Sequence, residues 1–377
     1  MTIQLIFFGA FGLLLYSYCL FPLLLLFTPQ SSTNRQTKWS ALSHSRQWPS
    51  ISLLLAAHNE ERVIVEKVRN FLDCPYSGKR EMIIVSDGST DRTEELARSF
   101  DDPHVRLIVQ ETRKGKGHAI NRAATQAHGE ILVFSDANAF FTGGTLVELI
   151  RPFFNPNIGL VTGCTHYTDG TVGSLYQQYE QLLKRLESRG GVVATADGAA
   201  YAMRRSLWHE HDPGLINDFL HPIMVNLKGS SAVIAPEAFC TEDFSIDNEF
   251  ARQARMVAQA SFVYLSLLPQ LMRGRQWRSI WVLTSHKLLR WLSAPLLVLM
   301  AGASLWLEPR GVFYLSFLLL EGTFALLVAA GALARKLGLS ERLSIAYQFI
   351  ALNCAASVGL WRCLSGAVPV VWQPRGE

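Results

Sequence analysis

The stretch MIIVSDGSTD, at residues 82–91, decides the fold. Its first four residues are apolar, which is typical of a strand that is buried on both faces. The polar residues that follow end the strand, and Thr90 or Asp91 can cap a helix that runs through Leu96. A strand that passes directly into a helix in this way is a building unit of α/β proteins.

The same pattern is found on both sides of this stretch. Apolar runs at residues 51–57, 105–109 and 131–134 predict three further strands, and apolar residues at helical spacing predict helices at 61–72 and 117–127. Strands that alternate with helices indicate a doubly wound sheet of parallel strands. Ligands of such sheets bind beyond the carboxyl ends of the strands.

Polar clusters lie at three of these predicted strand ends: HNE at residues 58–60, DGS at 87–89 and DAN at 136–138. Asp136 and Asn138 are two residues apart, so in an extended segment they point to the same side. Their oxygens suit a hard divalent cation. Each cluster alone could be a turn or a helix cap, but three at one edge are hard to explain by packing.

The segment RKGKGHAIN, at residues 113–121, opens the helix before the last of these strands. Backbone N–H groups at a helix start, together with Lys116, can bind phosphate oxygens. A solvated basic turn is the alternative for this segment in isolation. Taken together with the three clusters, the segment predicts a site that holds a nucleotide and its diphosphate.

Both ends of the chain are apolar. Residues 3–27 precede the first charged side chain, Arg35, and are long enough to cross a bilayer as a helix. A signal peptide would have a basic leader and a shorter apolar core, so we expect a retained anchor. Arg35, Lys38 and Arg46 follow it, and the positive-inside rule then places the next domain in the cytoplasm.

The C-terminal third contains three candidate spans, at residues 291–307 (beginning near Leu283), 312–334 and 343–360. Arg335, Lys336 and Arg342 indicate that the loop between the last two is cytoplasmic. We therefore expect a multi-pass protein of the cell (inner) membrane. The predicted divisions are an anchor at 1–30, a basic linker at 31–49, an α/β domain at 50–260, an amphipathic interfacial segment at 261–282, about three transmembrane helices within 283–363 and a tail at 364–377.

Composition excludes other classes of protein. The formal net charge of +4 is too small to indicate nucleic-acid binding. The six cysteines have no metal-ligand spacing. The few spans do not repeat, which argues against a transporter.

In this order and spacing, the motifs resemble glycosyltransferase family 2 over about residues 50 to 300. The resemblance implies the GT-A fold, a doubly wound mixed α/β sheet with helices on both faces. It also implies a UDP-sugar as the favoured nucleotide-diphosphate sugar, and Mg²⁺ or Mn²⁺ as cofactor. The residues that it assigns to the nucleotide-sugar are Ala57, Glu60, Asp87, Lys116, Asp136 and Arg255, with Asp136 and Asn138 at the metal, Asp218 as general base, and Asp197, Gly198 and Arg204 on the acceptor side.

Two elements depart from the family pattern. The family's DxD element is DAN here, so an amide replaces its second carboxylate at Asn138. Its QxxRW element is RQARM, at residues 252–256, so that Met256 stands in place of a tryptophan that normally stacks on the acceptor sugar. These changes weaken the case for processive chain synthesis.

The expected function is inverting sugar transfer at the cytoplasmic face of a membrane, in cell-surface or exopolysaccharide synthesis. The enzyme would be a hexosyl- or N-acetylhexosaminyltransferase. The alternative is transfer of a single sugar to a lipid acceptor, such as a polyprenyl phosphate or a glycolipid precursor. A third hypothesis, a non-catalytic degenerate domain, rests on Asn138 alone.

Overall fold

The computed structural model describes residues 1–30, 47–167, 173–242, 249–307, 309, 311–339 and 344–368, without the side chains of residues 167 and 173–176. The predicted linker at 31–49, with Arg35, Lys38 and Arg46, lies almost entirely outside the described residues. Arg342 and most of the predicted tail at 364–377 lie outside them as well.

A mixed sheet of eight strands forms the centre of the α/β domain. The strands are β1 (Ile51–Ala57), β2 (Arg80–Asp87), β3 (Val105–Gln110), β4 (Ile131–Phe134), β5 (Ala139–Phe141), β6 (Ile158–Tyr167), β7 (Tyr201–Arg204) and β8 (Ser231–Glu242). Their order across the sheet is β3-β2-β1-β4-β7-β6-β8-β5. The four predicted strands are β1 to β4, and they pair in parallel as expected.

The other half of the sheet makes it mixed. Strand β7 pairs antiparallel with both β4 and β6, β6 and β8 are parallel, and β5 pairs antiparallel with β8. Because β7 reverses direction, residues just before it lie at the same edge as the end of β4, and residues at its own end lie at the opposite edge. This reversal decides which predicted residues reach the site.

The described helices are α1 (Thr2–Leu26), α2 (Ile64–Asp73), α3 (Thr93–Arg98), α4 (Lys116–Thr125), α5 (Thr145–Ile150), α6 (Gly173–Ser188), α7 (Asn217–Leu227), α8 (Glu249–Arg273), α9 (Trp277–Trp291), α10 (Ser293–Leu307), α11 (Val312–Lys336) and α12 (Ile345–Leu364). Alternating residues of β1 face opposite ways, with Leu53 in a core that includes Phe71 of α2 and Leu54 in a core that includes Ile120 of α4. Helices therefore cover both faces of the sheet, as expected.

Among the described residues, α1 and α11 are long and apolar enough to cross a membrane, and α9 with α10, bent by 59°, could form a third span. These helices indicate a membrane protein. The predicted span at 343–360 forms α12 but falls outside this set. It packs along α8 instead, where a Cβ at Gly359 would lie 2.4 Å from the carbonyl oxygen of Ala254.

A buried charge cluster joins the α/β domain to the C-terminal helices. Glu180 of α6 contacts Lys287 at 3.2 Å, His286 at 3.1 Å and Arg290 of α9. Glu187, about two turns further along the same face of α6, contacts the other ring nitrogen of His286 at 2.5 Å. Because the side chain of Glu180 is only 15% exposed, its cationic partners would lose most of their compensation without it.

We predict that Glu180→Gln lowers the stability of the full chain in detergent by about 3 kcal/mol, because it leaves two buried cations without their carboxylate. Thermal unfolding followed by circular dichroism measures this. Glu95→Gln is the matched control: it removes the exposed ion pair with Arg92 and should leave the midpoint unchanged. Equal midpoints for both variants would contradict a joining role for the cluster.

Candidate functional site

The carboxylate of Asp87, at the end of β2, is buried and fully engaged. Its Oδ1 accepts hydrogen bonds from Gln110 Nε2 at 2.8 Å and from the backbone N–H of Lys114 at 2.7 Å. Its Oδ2 accepts from the backbone N–H of Gly115 at 2.7 Å. Asp87 therefore folds the segment after β3 over the end of β2 and sets the point at which α4 begins.

Two glycines allow the chain to approach itself closely here. Gly88 has a φ of +66°, and a Cβ on it would lie 2.6 Å from the backbone nitrogen of Arg113. A Cβ on Gly117 would lie only 2.1 Å from the carbonyl oxygen of Pro213. The first turn of α4 thus lies directly against the loop that leads to Asp218.

Lys116, the first residue of α4, forms an ion pair with Asp136 after β4. Burial alone would lower the pKa of Lys116, but the negative charges of Asp136, Asp218 and Glu242 hold it above its ordinary value. The side chains are 34% and 32% exposed, so solvent reaches the pair and its strength is modest. An incoming diphosphate could therefore separate Lys116 from Asp136.

Asn138 donates a hydrogen bond from Nδ2 to Oε1 of Glu242, at 3.0 Å. Glu242 ends β8, so the eighth strand contributes a carboxylate beside the DAN turn. Asp136, Asn138 and Glu242 are hard oxygen donors of the kind that Mg²⁺ and Mn²⁺ prefer. In the described part of the chain, no three His, Cys, Asp or Glu residues group as metal ligands. This donor set fits a cation that is also held by a diphosphate.

Asp218 lies in the first turn of α7, and its Oδ1 is shielded from solvent. This oxygen has no hydrogen-bond partner among the described residues. Burial raises the pKa of Asp218 to about 6; Asp136 adds to the rise, and Lys116 opposes it. A carboxylate with such a pKa is ionised at neutral pH and is a better proton acceptor than an ordinary aspartate.

Gly198 lies beside Asp218, and Asp197 precedes it in the same turn; their place on the acceptor side stays a prediction. A Cβ on Gly198 would lie 3.1 Å from Asp218 Oδ2, so the glycine leaves space for that carboxylate. The carboxylate of Asp197 accepts hydrogen bonds from Thr165 N at 2.9 Å and Thr165 Oγ1 at 2.6 Å. Asp197 therefore braces the turn that carries Gly198.

Ala57 and Glu60 lie at and just beyond the end of β1, next to Asp87. The backbone N–H of Glu60 donates to Thr93 Oγ1 at 2.7 Å, and His58 Nδ1 lies 2.8 Å from the carbonyl oxygen of Asp87. The ends of β1 and β2 are thus held together and form one rim of the site.

Arg255 is on α8, and burial lowers its pKa, with a contribution from Arg252. No hydrogen bond or ion pair joins it to another predicted site residue among those described. Its place at the diphosphate stays a prediction.

Arg204 requires a correction. It pairs with Ile131 at the start of β4, which is the opposite edge of the sheet from Asp136. Its guanidinium donates to the carbonyl oxygens of Ile158 at 2.8 Å and Phe153 at 2.7 Å. The structure therefore places Arg204 in a packing role, because β7 runs away from the site.

The sequence analysis missed Lys67, Gln110 and Glu242. The sequence does indicate Lys67, because this charged residue lies on the otherwise apolar face of α2, between Ile64 and Phe71. Gln110 and Glu242 had none, because their relation to Asp87 and Asn138 depends on strand pairing across the sheet.

A buried aspartate, a lysine at a helix start and a shielded aspartate thus lie at one edge of the mixed sheet, an arrangement that can hold a diphosphate and accept a proton. Residues 52–211 match the family described as "Glycosyl transferase family 2". This stretch of the chain is therefore similar to a family 2 glycosyltransferase domain, and its mixed sheet has the GT-A fold.

Among curated relatives, the chain is similar to the poly-beta-1,6-N-acetyl-D-glucosamine synthase of Staphylococcus epidermidis, with 29% identity over 44% of this chain and 42% of that one. It is also similar to the beta-monoglucosyldiacylglycerol synthase of Nostoc sp., with 33% identity over 30% of this chain and 25% of that one. The matched segment thus spans less than half the length of these relatives.

A mannosyltransferase from Pyrobaculum calidifontis, solved with GDP-mannose and Mn²⁺, has a similar structure with a TM-score of 0.68. The likeness covers 96% of this chain and 97% of that chain at 19% identity. At this identity the comparison shows the fold alone, and it extends the shared fold to the terminal helices.

We predict that Asp87→Asn weakens binding of a uridine or guanosine diphosphate by about tenfold, since its amide NH₂ would face backbone N–H donors. Isothermal titration calorimetry on the full chain measures this affinity. Asp91→Asn removes the same charge nearby but keeps an oxygen that can accept from Thr93 N, and it should bind normally. Normal binding by Asp87→Asn would contradict its role in shaping the site.

Proposed function

We propose that the chain is an inverting glycosyltransferase that moves a hexosyl or N-acetylhexosaminyl group from a nucleotide-diphosphate sugar to an acceptor hydroxyl. The observation that carries this proposal is Asp218, a shielded carboxylate with a pKa of about 6 beside Lys116 and Gly198. A carboxylate of this kind is suited to take a proton from a hydroxyl nucleophile at neutral pH. This argues against a non-catalytic domain.

In the proposed reaction, the nucleotide is bound by Ala57, Glu60 and Asp87. UDP is the favoured nucleotide. Asp218 takes the acceptor proton while the new bond forms between the acceptor oxygen and the anomeric carbon. The bond from that carbon to the diphosphate breaks, and the nucleotide diphosphate leaves toward Lys116. One displacement without a covalent intermediate inverts the anomeric configuration. Mg²⁺ or Mn²⁺, held by Asp136 and Asn138, would neutralise charge on the diphosphate when bound.

Contacts of α7 support an acceptor that arrives at the membrane surface. Phe219, next to Asp218, has its ring 6.1 Å from that of Trp291 at the end of α9. Phe219 also shares one apolar cluster with Val257 of α8 and Leu360 of α12. The proposed base is therefore adjacent to the helices that lead into the membrane.

Two acceptor classes remain open at this surface. The similarity to a poly-N-acetylglucosamine synthase favours a growing saccharide, in cell-surface or exopolysaccharide synthesis. The similarity to a glucosyldiacylglycerol synthase, and Met256 in place of a stacking tryptophan, favour a single transfer to a lipid. Incubation of membranes with radiolabelled UDP-sugars and GDP-mannose separates them, because the product is either a polymer or a lipid-extractable species.

The proposed location is the cytoplasmic face of the cell membrane. Arg335 and Lys336, in the last turn of α11, support a cytoplasmic end for that helix. Cysteine-accessibility labelling from each side of the membrane tests this topology.

We predict that Asp218→Asn reduces sugar transfer by at least about a hundredfold while nucleotide affinity is kept. In the wild type, kcat/KM should fall as the pH drops through about 6, because protonated Asp218 cannot accept a proton. Initial rates measured between pH 5 and about pH 8 reveal this loss of activity on the acid side of the pH profile. Asp212→Asn, an exposed aspartate on the preceding loop, is the control. Near-normal turnover of Asp218→Asn would refute the assignment of the base.

We also predict that excess chelator lowers transfer by at least about tenfold and that Mn²⁺ or Mg²⁺ restores it, because a cation offsets the charge of the leaving diphosphate. Asp136→Asn should resemble the chelated enzyme. Full transfer in chelator would exclude the proposed metal role of Asp136.

A further inference from the structure

Lys67 is an unusual residue for the interior of the α/β domain. Its side chain is 0% exposed, on the face of α2 that also buries Ile64, Val68 and Phe71. Buried lysines normally have a carboxylate partner, because an isolated charge is costly to bury. None of the ion pairs among the described residues includes Lys67, so some other contact must explain its presence.

The ammonium group of Lys67 lies beneath the DAN turn. It donates hydrogen bonds to Ser135 Oγ, at 2.7 Å, and to the carbonyl oxygen of Ala139. It also lies 4.4 Å from the centre of the Phe141 ring, a favourable cation–π distance. Ser135 and Ala139 flank Asp136 and Asn138 on either side, so one buried charge holds both ends of the turn.

Asn70, on the next turn of α2, extends this support. Its Nδ2 donates to the carbonyl oxygen of Phe141 at 2.8 Å, and its Oδ1 accepts from Phe141 N at 2.7 Å. Ser135 Oγ in turn lies 2.9 Å from the carbonyl oxygen of Ala199, next to Gly198. The contacts of Lys67 thus connect the DAN turn with the segment that faces Asp218.

We propose that Lys67 is a positioning residue that fixes the DAN turn from beneath, so that Asp136 and Asn138 are held ready for a metal-bound nucleotide diphosphate. The proposal rests on the proposed function for the identity of this ligand. Lys67 differs from Lys116, which pairs with the side chain of Asp136 itself and which we assign to the diphosphate. Lys67 contacts the turn on either side of Asp136 instead, and its charge is favourable beside the carboxylates of Asp136 and Glu242.

A purely structural lysine would affect stability without affecting metal affinity, so the test measures both. Mn²⁺ binding to the full chain in detergent is followed by electron paramagnetic resonance in the presence of UDP and, separately, of GDP. Burial lowers the pKa of Lys67 to about 8, so titrations at neutral pH examine the charged amine. Lys67→Met keeps the length of the side chain and removes its charge and its hydrogen bonds.

We expect Lys67→Met to bind Mn²⁺ about 10- to 100-fold more weakly, as is typical when a residue that orients a metal ligand is lost. Asp136→Ala gives the Mn²⁺ affinity that remains when a proposed metal ligand is removed. The matched control is Arg69→Met on the exposed face of the same helix, which should bind Mn²⁺ as the wild type does. A folded Lys67→Met with wild-type Mn²⁺ affinity overturns the proposal.

Rescue separates the charge from the volume of the side chain. In Lys67→Ala, n-propylammonium should enter the cavity and restore Mn²⁺ affinity, whereas propan-1-ol, of similar size but uncharged, should not. Equal rescue by both would show that Lys67 only fills space, which contradicts the proposal.

Ser135→Ala decides the matter if the Lys67 variants do not fold. It removes one of the two hydrogen-bond acceptors and should weaken Mn²⁺ binding by about three- to tenfold, so unchanged affinity overturns the proposal. Absence of Mn²⁺ binding by the wild type with either nucleotide also overturns it. A wild type that binds Mn²⁺ and nucleotide but transfers no sugar would refute the proposed function and leave the role of Lys67 intact.

Discussion

The carboxylate of Asp87 is the group on which the candidate site depends. It accepts hydrogen bonds from the side chain of Gln110, at the end of β3, and from two backbone N–H groups in the segment that follows. The two backbone contacts fix where α4 begins. Lys116 is the first residue of that helix, so its position opposite Asp136 follows from the contacts of Asp87. Hydrogen bonds to an ionised acceptor are among the strongest in proteins. A single buried charge thus places the lysine that we assign to the diphosphate.

The parallel half of the sheet was predictable because its information is local. The runs at β1, β2 and β4 are largely apolar on both faces, whereas β3, at the edge of the sheet, is half-buried and carries Arg106 on one face. Each of the four is followed by a polar end or a helix. Strands β5 to β8 were not predicted as strands. Their pairing is antiparallel in three of the four contacts that they make with the sheet or with each other, and it joins segments distant in sequence. Such pairing depends on tertiary contacts more than on any local pattern.

The same distinction separates the candidate residues that local motifs indicate from those that they do not. Asp87, Lys116 and Asp136 lie in motifs next to predicted strands, and the structure brings them to one edge. Glu242 reaches Asn138 only through the pairing of β8 with β5, which no local motif records. Arg204 was misplaced for the converse reason. It follows Gly198 closely in sequence, but it is the last residue of β7. Because β7 is antiparallel to β4, Arg204 lies beside the start of β4 and not beside its end.

The membrane helices and the site are parts of one packing arrangement. Helix α7 carries Asp218 at its start and buries Phe219, Ile223 and Met224 against the C-terminal helices. Helix α6 is joined to α9 by the charges around Glu180. Movement of α9 relative to the α/β domain would therefore disturb both the apolar cluster behind Asp218 and the ion pairs of α6. Since packed interiors tolerate little displacement, the position of the proposed base is set partly by the helices that hold the chain at the membrane.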